Sequence, residues 1–60
     1  MDDLIGKKFI ISGMTIEIIS DDGDKWETRN ITTNATISLN KLVLDNAIRL
    51  GKAEEVTDLN

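Results

Sequence analysis

A chain of sixty residues without a single cysteine or histidine lacks both staples that very small domains ordinarily use. No Cys means no disulfide framework and no thiolate zinc site; no His removes the commonest imidazole ligand and general base. A domain of this size buries only about 60% of the surface its unfolded chain exposes, so its core is marginal. What is left to stabilise it is tight hydrophobic packing or association with another surface. The length suits one domain, and a composition of 40% hydrophobic and 30% charged residues is that of a chain that folds.

Local patterning divides the chain into two parts. Up to about residue 39, Ile, Thr and Phe are dense and Gly, Asp and Asn recur at short intervals, which predicts strands near 5–12, 14–20, 24–31 and 35–39. Ser12-Gly13 makes a two-residue hairpin turn with Ile11 opposite Met14, Phe9 opposite Ile16 and Lys8 opposite Glu17. Apolar then meets apolar on one face, and an opposite-charge pair lies on the other. The second turn falls in Asp21-Asp22-Gly23-Asp24, where parity decides the face of every later residue. An even loop sets Trp26 beside Glu17 and Ile19. An odd loop, Asp21-Asp22-Gly23, sets Trp26 opposite Ile18 and Thr28 opposite Ile16, and is preferred although it brings Glu17 opposite Glu27. A third connection around Thr33-Asn34 pairs Asn30 with Ile37 and Thr28 with Leu39.

In this register one face carries Phe9, Ile11, Met14, Ile16, Ile18, Trp26, Ala35, Ile37 and Leu39, with Thr28 and Asn30 as polar intruders that need partners. The other face carries Lys8, Thr15, Glu17, Lys25, Glu27 and Arg29, together with three isoleucines, Ile10, Ile19 and Ile31, in excess of what a wet face should hold.

From Asn40 the period becomes helical. Asn40 is a suitable N-cap, residues 41–50 read as a helix, and Gly51 is a natural stop. Val43, Leu44, Ala47, Ile48 and Leu50 form a broad apolar arc, while Leu42 falls on the polar side without an evident reason. Residues 53–60 read as a polar tail to a domain of residues 1–52, with Val56 and Leu59 as its only anchors. The expected fold is therefore α+β: a small four-stranded antiparallel meander followed by one C-terminal helix, with a curl into an SH3-like partial barrel as one form of it.

No catalytic constellation emerges. Ser20-Asp21-Asp22-Gly23-Asp24 has closely spaced carboxylates, but counting a calcium loop from Asp22 puts Glu27 at the position that needs Gly and Thr33 at the position that needs Glu. A solvated hairpin tip is the better reading. Ser38-Leu39-Asn40-Lys41 matches the Ser-X-X-Lys spacing of acyl-transfer enzymes, yet the companion motifs and oxyanion hole are missing. Gly6-Lys7-Lys8 lacks the earlier glycine of a phosphate loop. No enzyme activity, cofactor or metal is expected.

Charge narrows the partners. Seven basic against eleven acidic residues leave a net charge of −4, which disfavours nucleic acid and anionic lipid. The longest apolar runs, Phe9-Ile10-Ile11 and Leu42-Val43-Leu44, are far shorter than a membrane span, and the acidic start does not resemble a secretory signal, so the cytoplasm is the expected compartment. The sequons at Asn30 and Asn34 carry no weight there. The leading expectation is a non-catalytic protein-interaction module or regulatory adaptor acting as a homodimer. Its surface would comprise Ile10, Ile19, Ile31 and Leu42 with Lys8, Glu17 and Arg29. Two alternatives remain open. Asp21, Asp22, Asp24 and Glu27 offer an acidic tip by which a small protein mimics nucleic acid and blocks a nucleic-acid-binding protein; weak single-strand binding through the sheet is the other, although both aromatics, Phe9 and Trp26, fall on the expected core face.

Overall fold

The computed structural model describes residues 4–57. Five strands and one helix follow in the order β1 (Lys8–Ile11), β2 (Met14–Asp22), β3 (Lys25–Asn30), β4 (Thr36–Asn40), α1 (Lys41–Arg49) and β5 (Ala53–Val56). The strands form one antiparallel sheet in the order β4-β3-β2-β1-β5. The class is α+β, as the sequence predicts, but the sheet has a fifth strand. The polar segment read as a tail returns along β1, with Ala53 beside Ile11 and Val56 beside Lys8. Four residues with two adjacent glutamates give almost no strand signal, and only the free edge of β1 makes them one. Leu59, the other expected anchor, lies outside the described residues.

The first hairpin has the expected register: Lys8, Phe9 and Ile11 stand opposite Glu17, Ile16 and Met14. Ser12 and Gly13 take φ of 52° and 76°, the positive values that both central positions of a type I′ turn require.

The second hairpin differs from expectation. Asp22 pairs with Lys25, so the loop is the even one, Gly23-Asp24, and the register shifts at Ile19, between Ile18 and Ser20. This β-bulge supplies the odd residue that the turn does not. Trp26, Thr28 and Asn30 consequently still face the core, but Thr28 is displaced by two positions and Trp26, beyond the bulge, by three. Thr28 stands opposite Ile18 rather than Ile16, and Trp26 opposite Asp21 rather than Ile18. Glu17 now faces Arg29 instead of Glu27, and a like-charge clash becomes an ion pair of 3.0 Å. The third connection is displaced as well, with Thr28 opposite Ile37 and Trp26 opposite Leu39. The cause is Asn30. Its Oδ1 accepts from the N–H groups of Thr32 (2.9 Å) and Thr33 (3.2 Å), and its own N–H donates to the Ala35 carbonyl, closing a longer loop than the one expected.

The helix begins as predicted, with Asn40 Oδ1 accepting from Leu42 N–H at 2.8 Å. It ends at Arg49 with Leu50 as the cap, where Gly51 N–H donates to Ile48 and Lys52 N–H to Ala47, a Schellman arrangement that returns the chain toward β5.

The buried core is Phe9, Ile16, Ile18, Trp26, Leu44 and Ala53, flanked by Leu4, Ile11, Leu39 and Ala47. Of the expected helical arc only Leu44 is buried and Ala47 half-buried; Val43, Ile48 and Leu50 are exposed, as is Ala35, expected on the core face, which lies just ahead of β4. The polar intruders are satisfied: Thr28 Oγ1 donates to the Ile37 carbonyl at 2.8 Å, and Asn30 is spent on its loop.

Candidate functional site

The strands β4 and β5 lie at opposite edges of the sheet, so α1 carries the chain across the core face. Nine residues rise about 13 Å, whereas five strands span roughly 19 Å. The helix therefore covers only part of that face. Beside it an apolar groove of about 250 Å³ stays open. Ile11 and Met14 of the first hairpin form one wall, Ile37 and Leu39 of β4 the other, and Val43 of the helix overlooks them. Ile16 and Thr28 make the floor. The Thr28 hydroxyl on the floor is bonded to the Ile37 carbonyl, and Ser12 at the hairpin turn adds the other hydroxyl residue to an otherwise apolar lining.

The sequence pattern misplaced this region by assigning its residues to a closed core. Val43 and Met14 are instead 51% and 37% exposed. Their composition alone offers no signal, since what leaves them open is where a short helix comes to rest.

The residues singled out from sequence do not form one surface. Ile10, Ile19 and Ile31 are exposed on the outer face, as expected. Ile10 stands opposite Thr15, whose carbonyl accepts from Ile31 N–H at 3.0 Å, so these two isoleucines flank one threonine. The adjoining row is Lys8, Glu17 and Arg29, closed by the Glu17–Arg29 ion pair. Ile19 sits at the bulge beyond that charged row, separated from the other two. Leu42, 70% exposed, belongs to the helix on the opposite side of the sheet.

The acidic tip is likewise dispersed. Asp21 turns toward the helix, where Lys41 Nζ lies 2.7 Å from its Oδ1 and 4.3 Å from the centre of the Trp26 ring. Asp22 stands opposite Lys25, while Glu27 Oε1 accepts from Ser38 Oγ at 3.3 Å on the outer face. Asp24 contributes its carbonyl to Lys41 N–H at 2.9 Å. Lys41 thus fastens the helix to the second hairpin in three ways, a role that no local pattern announced.

Among the described residues no group of three or more His, Cys, Asp or Glu is placed to hold a metal ion, and no helix is long and apolar enough to cross a membrane. Compared with known proteins, this chain matches no protein family, no curated protein and no solved structure. The class it defines is a small α+β domain of one antiparallel sheet and one helix.

Proposed function

We propose that this domain is a non-catalytic protein-interaction module, a small adaptor that works in the cytoplasm as a homodimer. The observation that carries the reading is the open groove, continuous with exposed Val43 on a helix that also shows Leu42, Ile48 and Leu50 to solvent. Covering apolar area is worth about 25 cal/mol per Å², a substantial gain for a chain whose own core is so small. The strand order, with β5 beside β1 and a helix between β4 and β5, suits a sheet curled into an SH3-like partial barrel; that likeness is architectural and brings no activity with it.

The alternatives have less support. Base stacking on this sheet would need an exposed aromatic ring, and both Phe9 and Trp26 are buried. An acidic mimic would gather its carboxylates, whereas Asp21 is tied to Lys41 and Glu27 faces away from it on the other side of the sheet. Sedimentation velocity across a dilution series tests the module as proposed. A mass rising from one chain to two with concentration supports it; a single-chain mass up to high micromolar concentration overturns the homodimer.

A further inference from the structure

The two edges of the sheet are finished in different ways. The β5 edge carries Glu54 and Glu55, the latter 3.3 Å from Lys7, so two copies meeting there would bring like charges together. Charge of this kind is a common protection for a free strand edge. The β4 edge has none. Its five residues, Thr36-Ile37-Ser38-Leu39-Asn40, contain no charge, no proline and no bulge.

The hydrogen bonds on either side of β4 show which of its backbone groups face outward. Asn30 N–H donates to the Ala35 carbonyl, and Lys41 N–H to the Asp24 carbonyl. In an antiparallel ladder, bonded positions alternate along a strand. Ile37 and Leu39 therefore point their backbone groups toward β3, as does the Ala35 carbonyl, while Thr36 and Ser38 turn theirs to the open edge. The side chains obey a matching symmetry. Laid antiparallel on a copy of itself about Ser38, the strand sets Ile37 opposite the partner's Leu39 on the groove side. On the outer side, Thr36 falls opposite the partner's Asn40 and Ser38 opposite the partner's Ser38. Apolar meets apolar, polar meets polar, and every residue of β4 is used.

We infer that β4 is the edge through which two copies of this chain pair, forming one continuous sheet across a twofold axis at Ser38. A second copy is the occupant that fits, because the strand is complementary to itself and is an uncharged margin on a chain of net charge −4. Pairing also joins the two grooves, since Ile37 and Leu39 are their shared wall. The inference rests on the homodimeric reading above and specifies its surface.

The test uses the full chain and two readouts. Light scattering compares the wild type with Ser38→Lys at the proposed axis and Glu54→Lys at the other edge. The expected result is a wild-type dimer, at least tenfold weaker dimerisation for Ser38→Lys with an unchanged circular-dichroism spectrum, and no weakening for Glu54→Lys. Because the chain contains no cysteine, Ser38→Cys supplies a second readout that does not depend on how a lysine is tolerated. Directly opposed residues in a bonded antiparallel pair have Cα atoms ~5.5 Å apart, within reach of a disulfide. Mild oxidation should therefore convert Ser38→Cys to a covalent dimer, and leave Glu54→Cys uncoupled at the same concentration. A wild-type dimer that Ser38→Lys leaves intact, with Ser38→Cys uncoupled, overturns the β4 edge while the homodimer stands. A wild type that stays monomeric overturns both.

Discussion

The core face of the sheet ends in two different ways. At one end Leu44 is fully buried in a cluster with Phe9, Ile18 and Trp26, and Lys41 lies over the indole with Asp21 as its counter-ion. At the other, Ile11, Met14, Ile37 and Leu39 surround an open groove, and Val43, adjacent to Leu44 in sequence, is half exposed. Both ends are made of the same aliphatic residue types. The difference lies in the helix, which is held at Asn40 and Gly51 and must deliver the chain to β5, so its position is set by its ends and not by the area that needs cover. Burial on this face is therefore a result of connection geometry, and the uncovered part stays open to solvent.

The largest expected effect contrasts two neighbouring residues. Leu44→Ala should cost about 2–5 kcal/mol, enough to leave much of so small a domain unfolded, whereas Val43→Ala should change stability by less than about 0.5 kcal/mol. Urea titration followed by circular dichroism measures both. Equal losses would mean that the two ends are equally packed. Thr28→Val probes the floor that the ends share: removing the hydroxyl bonded to Ile37 should cost about 1 kcal/mol, read from the same titration. A stabilised variant would show that this hydrogen bond contributes nothing. Lys41→Met should cost roughly 0.5–1 kcal/mol and change the emission of Trp26, since it removes the cation over the ring and the partly exposed pair with Asp21. An unaltered fluorescence spectrum would show that the closed end does not need its lid. Smallest of all, Glu17→Gln breaks an exposed ion pair on the outer face and should cost only a few tenths of a kcal/mol, with 0.5 M salt weakening the wild type by a similar amount. A loss as large as that of Thr28→Val would place a structural role on the outer face too.

Legibility followed the same division between local and distant causes. The first hairpin could be read residue by residue because a two-residue turn admits one register, and Ser12-Gly13 is that turn. The second could be read only for its faces. Trp26, Thr28 and Asn30 point to the core under either an odd loop or an even loop with a bulge; the even loop with a bulge is the one that sets Glu17 opposite Arg29. The fifth strand was hidden because Ala53-Glu54-Glu55-Val56 pairs with residues more than forty positions away. Of the candidate surface, the exposure of Ile10, Ile19, Ile31 and Leu42 was legible, but not their separation by a charged row and by the thickness of the sheet. The groove was not legible at all, since its residues have the pattern of a core.

By itself the sequence determined the α+β class, the first turn, the caps of the helix, the face on which most side chains lie, and the lack of any staple beyond packing. These follow from periodicity, turn chemistry and residue type, which act over a few positions. Only the tertiary structure decided the bulge at Ile19, the strand at 53–56 and the open end of the core face. Each of those depends on where two distant segments meet, and a sheet five strands wide under a helix of nine residues leaves apolar side chains uncovered whatever their order in the chain.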